Sequence, residues 1–327
     1  MTGGQRRLIP IAVAACAMSA ALVATNSAPR QDAREYLAEV LPVLEQGIYA
    51  EGEQWQDVLS AASREAANAA EPQDLYRIIS ILTRTAGGNH SRFEPPTEDG
   101  FIAALGTSTS EFIAPTVRVE DGIGIITIPA VTALDQRLFS IYVHDALAGI
   151  MSHQHEVTRG WIIDLTANTG GGFAPMLLAL SPLLNAGDLL EVAYPDGKVD
   201  PVTKSSLRDY LVWNGDPYTS GLLDLHVEQA LPITVLQSGF TASAAEGTLF
   251  ALMTQPNTRS FGQPTGGFTT ANDVVPLPDE AFIVISVGYM RPPHGLALDA
   301  PINPDVTTLR GDEMRKATEW LRGKSAD

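Results

Sequence analysis

The chain is short of three things. It has one cysteine, Cys16, in 327 residues. It has few cations, 21 Lys and Arg against 38 Asp and Glu, for a formal charge of −17. It also lacks repetition: no heptad pattern, no low-complexity tract and no internal repeat interrupts it. A single thiol excludes an intrachain disulfide, and removal of the first 28 residues would exclude thiol catalysis as well. The anionic surface repels phosphate backbones and anionic membranes, so nucleic acid is excluded as a partner. It also disfavours acidic substrates. What remains is a chain that is 45% hydrophobic and 18% charged, enough for a large core and too apolar for general disorder.

The N-terminus is a targeting segment. Arg6 and Arg7 precede an uncharged apolar run from Leu8 to Ala24, the pattern of an export signal. Three outcomes fit residues 1–28: cleavage, retention as an anchor, or lipid attachment at Cys16 in "VAAC". Removal would take two arginines and no acid, leaving a more acidic chain without a thiol. Export to the periplasm or the exterior follows from the segment itself.

Residues 29–96 read as a small helical domain. Tyr36, Val40, Val43, Leu44 and Ile48 recur at helical spacing, as do Trp55, Val58, Leu59 and Ala62, and Gly87-Gly88 ends a third helix. Phe93 onward reads as a linker, with 97–115 set aside as connecting chain. From 116 to 327 the period changes. "VRVEDGIGIITIPAV" holds a turn at Asp121-Gly122, and "GWIIDL" and "PITVLQ" are short buried strands. "LEVAYPDGKVD" is a hairpin, and a helix covers Asp312 to Leu321. Strands alternating with helices predict an α/β core.

Three segments could carry chemistry. In "DLTANTGGG", Asp164 to Gly172, glycines after a buried strand permit positive φ and outward N–H groups that suit an oxyanion, or make a plain tight turn. In "FTASAAEG", Phe240 to Gly247, Ser243 opens a helix among small residues. There it is either a nucleophile beside the N–H of Ala244 or a cap in a box with Glu246. In "GGNHSRFEPP", His90 occupies a glycine-rich loop as a base or as a surface histidine. His153 and His155 ("SHQHE") lack a third metal ligand, and His226 and His294 read as ordinary histidines. Trp161 and Trp213 read as packing residues. No metal or other cofactor is expected.

Together the motifs resemble the C-terminal-processing (tail-specific) proteases and the tricorn-protease core, serine peptidases of the ClpP/crotonase-like fold. "FTASAAE" resembles that family's nucleophile motif. "DLTANTGG" resembles its Asp-Leu-Arg-x-Asn-x-Gly-Gly motif with Thr166 in place of arginine. Where the processing branch carries an activating lysine, this chain reads "PTGGFTT", with Phe268 or a neighbour at the lysine. "NHS" is similar instead to the histidine motif of the tricorn and retinoid-binding branch. The resemblance, over about residues 35 to 310, implies a ClpP/crotonase-like core behind an N-terminal helical domain, without a PDZ domain. It implies Ser243 as nucleophile, His90 as base, Asp299 rather than Asp305 as the orienting acid, and the N–H groups of Gly171 and Ala244 as oxyanion hole. The substrates would be peptides or unfolded protein tails, with an apparent base pKa of roughly 6 to 7.5. The retinoid-binding members of the same fold supply the alternative, a weak or inactive binder of apolar ligands or peptides.

Overall fold

The computed structural model describes residues 32–97, 112–131, 136–207, 225–297 and 299–323. The targeting segment with Cys16, residues 98–111 of the expected linker, and Trp213 lie outside them.

Two sheets form the frame. The first has six strands: β2 (Thr116–Glu120), β3 (Ile123–Thr127), β4 (Gly160–Asp164), β7 (Ile233–Gln237), β8 (Thr258–Gly262) and β11 (Val306–Thr307). Their order is β11-β8-β7-β4-β3-β2. The strands from β3 to β11 run parallel, and β2 returns antiparallel through the Asp121-Gly122 turn. Parallel strands covered on both faces are buried throughout and mostly apolar, as Ile233–Gln237 is, with only Thr234 and Gln237 polar. Helices α4 (Gln136–His153), α5 (Phe173–Ala179) and α6 (Ala244–Met253) cover one face through Phe139, Tyr142, Leu177 and Leu249. Helix α7 (Glu313–Gly323) covers the other, placing Ala317 and Leu321 on Ile125, Ile162 and Leu236.

The second sheet is antiparallel and centred on β10 (Phe282–Arg291). Strand β10 pairs with β1 (Arg92–Glu94), β5 (Asp188–Ala193) and β9 (Thr270–Pro276), and β6 (Val199–Thr203) extends it as the second arm of the "YPDG" hairpin. Helices α1 (Ala33–Leu44), α2 (Gly52–Ala66) and α3 (Tyr76–Gly87) pack onto this sheet. Tyr36, Leu44, Leu75, Ile79 and Leu82 share one cluster with Ile283, Ile285 and Val287 of β10. Each such side chain contributes about 1.5–3 kcal/mol by leaving water. The N-terminal helices therefore have no core of their own; theirs is completed by β10. Phe93, read as the start of a linker, instead pairs with Ile283 in β1. A three-residue strand has no alternation long enough to read. Only residues 95–115 separate β1 from β2, too few for a further folded domain of at least roughly 40 residues.

Candidate active site

Strands β4 and β7 are neighbours, with Asp164 opposite Leu236, so the segments leaving their C-terminal ends emerge side by side. Those ends are where ligands bind in parallel α/β sheets. The segments are the glycine turn and the Ser243 octet. Three hydrogen bonds weld them: Ala242 N–H to the Asn168 carbonyl (3.1 Å), Thr241 Oγ1 to the Leu165 carbonyl (2.8 Å) and Ser238 Oγ to the Thr166 carbonyl (2.5 Å). Asn168, buried, braces the turn from within. Its amide donates to the Ile128 carbonyl and its Oδ1 accepts the Gly170 N–H, both at 2.9 Å. Thr166, the residue in the arginine position, turns inward onto Asp164 Oδ1 at 2.6 Å.

Ser243 has φ 54° and ψ −120°, a conformation costing an L-residue on the order of 1–3 kcal/mol. A sharp, strained turn from strand to helix projects a serine out of the chain, as nucleophile elbows do. Close approach makes it possible. Gly170, at φ 107°, lies so near that a Cβ there would meet the Ala242 carbonyl oxygen and Ser243 Cβ, each at 2.8 Å. The capping box read from sequence is present. Glu246 Oε2 accepts the Ser243 N–H at 2.8 Å. The Glu246 N–H, however, goes to the Ser243 carbonyl at 2.8 Å, and the Ser243 hydroxyl, though placed in a capping box, carries no cap hydrogen bond.

Glu246 does more than cap. Fully buried, it also accepts the N–H groups of Gly267 (2.9 Å) and Phe268 (2.8 Å) and the Thr265 hydroxyl. Burial pushes its carboxyl pKa up, and these donors pull it partly back. Glu246 thus fastens the "TGGF" segment to the backbone of Ser243. Phe268, in the lysine position of the processing branch, meets the imidazole of His90 edge-on, ring centres 5.2 Å apart.

Of the two N–H groups inferred from sequence as oxyanion donors, one belongs to Gly171, next in the chain to Gly170, and the other to Ala244, whose nitrogen would lie 3.3 Å from a Cβ on Gly170. The Val131 N–H bonds the Gly170 carbonyl (3.2 Å) and the Gly172 N–H bonds the Val131 carbonyl (2.7 Å), a parallel bridge between Val131 and Gly171. That bridge turns the Gly171 N–H to the opposite side. Ala244 N–H opens helix α6, where the dipole favours negative charge. Among the described residues neither N–H has an acceptor.

His90 follows α3, on a turn closed by Ser91 N–H to the Gly88 carbonyl at 3.1 Å. Its pKa is pushed down to about 4, by burial first and by the charge of Arg92 second, against the opposing pull of Asp299 and of a hydrogen bond that the ring donates to the Thr270 main chain. This lies below the 6 to 7.5 expected from sequence, in the direction that burial pushes an imidazole. His90 Nδ1 lies 2.8 Å from Thr270 Oγ1, so the hydrogen-bonding position reserved for Asp299 belongs to Thr270. Asp299, exposed, accepts from the Tyr49 hydroxyl at 2.9 Å and reaches His90 only through its charge. Asp305 is engaged elsewhere, accepting the Ser260 N–H (2.8 Å) and hydroxyl (3.2 Å). Among the described residues no hydrogen bond joins Ser243 to His90; the link between them runs through Glu246 and Phe268.

The remaining histidines lie apart. His153 pairs with Glu156 at 2.8 Å and His155 lies 3.7 Å from Glu228. Asp188, Glu191 and His294 bring three ligand-type atoms within 4.8 Å of one another. The Arg291 guanidinium already pairs with Glu191 at 2.8 Å.

The strand ends of the parallel sheet bring together a strained serine, the Gly171 and Ala244 N–H groups and, through Phe268, a partly buried histidine, the kinds of group that serine hydrolases use. The Peptidase family S41 profile matches residues 122–308, and the chain belongs to that family. It is 26% identical over 281 residues to the nisin-resistance protein of Lactococcus lactis subsp. lactis, covering 86% of this chain and 84% of that one. Its structure is similar to that of a lipoprotein from Streptococcus agalactiae, with a TM-score of 0.76 and 26% identity over 90% of this chain and 98% of the other. The photosystem II D1 C-terminal processing protease shares the fold at 14% identity, with a TM-score of 0.58 over 85% and 93% of the two chains.

Proposed function

We propose that the protein is an exported serine peptidase in which Ser243 is the nucleophile and His90 the base. The observation that carries this reading is the strained backbone of Ser243, against which Gly170 packs. Strain of this kind persists where a fold over-determines it, and it gathers at reactive residues. The Ser243 oxygen attacks the scissile carbonyl carbon while its proton passes to His90 Nε2. The C–O bond forms and the carbonyl becomes an oxyanion facing Gly171 N–H and Ala244 N–H, donors worth about 3–4 kcal/mol each in comparable sites. Collapse breaks the C–N bond as His90 returns the proton to the leaving amine, and water then hydrolyses the acyl-enzyme with His90 again as base. The hydrogen bond from serine to base tightens on substrate binding in such sites. Asp299 favours the imidazolium through space.

Peptides or unfolded tails are the substrates. The similarity to a nisin-resistance protein supports antibacterial peptides among them, and the net charge of −17 favours cationic ones. Export is supported by the apolar leader and by the lipoprotein relative. A fluorophosphonate probe tests the chemistry: labelling that disappears in Ser243→Ala is expected, and labelling that survives it sinks the nucleophile assignment. The open Ser243–His90 contact favours a second reading, a binder of apolar ligands or peptides. A folded wild type that takes no label would establish it over the first.

A further inference from the structure

His90 is held through Nδ1 by a hydroxyl, and that hydroxyl belongs to a buried chain. Thr270, 2% exposed, opens strand β9 and places Oγ1 2.8 Å from His90 Nδ1. Thr270 Oγ1 lies 3.1 Å from Ser286 Oγ, and Ser286 Oγ donates to Asn272 Oδ1 at 2.8 Å. Ser91, the residue after His90, donates to Ser286 Oγ at 3.2 Å and accepts the Ser286 N–H at 2.9 Å. Gly87 makes room for this: a Cβ there would run into Ser91 Oγ and Ile285.

Counting protons gives the chain a direction. An amide oxygen only accepts, so the one proton of Ser286 is committed to Asn272. Both lone pairs of Ser286 Oγ are then filled, by Ser91 and by Thr270. The Thr270 proton therefore points at Ser286, and Thr270 meets the imidazole with a lone pair. Only a protonated Nδ1 matches it. The opposite arrangement, with Thr270 donating to Nδ1, would leave two hydroxyl oxygens facing each other at 3.1 Å without a proton between them. Thr270 and Ser286 are both buried, so bulk water does not compete for these groups, and a buried network of this kind rewards full satisfaction.

We infer that Thr270 is the positioning residue of the site, holding His90 in the tautomer that carries its proton on Nδ1, with Ser286 and Asn272 setting the polarity of the chain. The inference rests on the reading of His90 as base, because a base for Ser243 must present a bare Nε2. In triads built on aspartate, a carboxylate orients the ring and also stabilises its charge. Here the two tasks are divided: the neutral chain orients the ring, and Asp299 supplies the charge from a distance.

The test reads the tautomer without any substrate. Long-range 1H–15N correlations of the full chain labelled with 15N-histidine, recorded near neutral pH, report which ring nitrogen is protonated; loss of signal in His90→Gln identifies the residue. Wild type is expected to show Nδ1–H, Thr270→Ser to match it, and Thr270→Val to gain the Nε2–H form. If Thr270→Val does not fold, Ser286→Ala serves instead, since it frees the Thr270 hydroxyl to turn and donate to Nδ1. Fluorophosphonate labelling should slow in Thr270→Val by a part of the roughly 10²–10⁴-fold that a positioned general base contributes, and recover in Thr270→Ser. A wild type in the Nε2–H form, or a tautomer unmoved by Thr270→Val or Ser286→Ala, overturns the inference even if labelling is intact. Absence of labelling in a wild type that shows Nδ1–H instead defeats the peptidase reading.

Discussion

Acidification from pH 7 to pH 4 probes the burial of His90 through the stability of the whole chain. An imidazole in water titrates near 6.5, and in the folded protein this one is pushed down to about 4. Between those values the unfolded chain holds a proton at residue 90 that the folded chain refuses. Unfolding then takes up protons, so stability rises with pH across this window and falls as the pH is lowered through it. A gap of 2.5 pKa units corresponds to about 3 kcal/mol at the acid end, with no further loss from this residue below pH 4. Glu246 works in the opposite sense. Its pKa is raised by burial, so the folded carboxyl takes up a proton more readily than the unfolded one and gains stability as the pH falls. A comparison with His90→Gln removes that background. Urea unfolding of both chains at pH 7, 6, 5 and 4 should give a wild-type stability that drops faster, the difference growing to about 3 kcal/mol. Parallel curves would refute the lowered imidazole pKa. So would a wild type that gains on the variant as the pH falls. The same shift places the acid limb of fluorophosphonate labelling near pH 4 rather than at the 6 to 7.5 of a solvated histidine.

Two substitutions test the frame around Ser243. Gly170→Ala forces a side chain into a residue at φ 107° and against Ser243 Cβ. It should destabilise the fold by about 2 kcal/mol or more and suppress labelling; wild-type stability with full labelling would contradict the close approach. Glu246→Gln places an NH2 group among four donors and leaves at least one N–H without an acceptor. A loss of about 1–3 kcal/mol per orphaned group is expected in thermal or urea unfolding, with slower labelling as the tie between Ser243 and Phe268 loosens. An unchanged midpoint would show that Glu246 is not the clasp described above.

The parts of this protein that are local in the chain were legible in its sequence. The apolar runs of β4 and β7, the glycines after one and the small residues after the other announce buried strands that end in sharp turns. The turn at Asp121-Gly122 and the hairpin at Pro195 to Gly197 follow from backbone permissiveness over a few residues. Strands β1, β8 and β9 escaped because their identity comes from a partner: Arg92–Glu94 and Thr270–Pro276 are strands through β10, and Thr258–Gly262 is one through β7.

The nucleophile and base candidates could be named from motifs, but what surrounds them could not. Thr270 lies 180 residues beyond His90, and nothing in "FTTAND" marks its hydroxyl as the one that meets an imidazole. Asp299 was the natural choice of orienting acid because aspartate usually fills that role. Packing of α3 on β10 instead brings His90 to the start of β9, where Thr270 is the nearer group. Glu246 could be read as a cap three residues after Ser243, yet its bonds to Thr265, Gly267 and Phe268 appear only when β8 and the "TGGF" segment are laid beside helix α6. The imidazole pKa depends on burial, which no window of sequence contains. Sequence determined the strands, turns and helix starts that are specified locally, because φ and ψ preferences and apolar periodicity act over a few residues. Tertiary structure alone decided which hydroxyl meets which nitrogen and how dry the site is, because those depend on distances between elements that the chain keeps far apart.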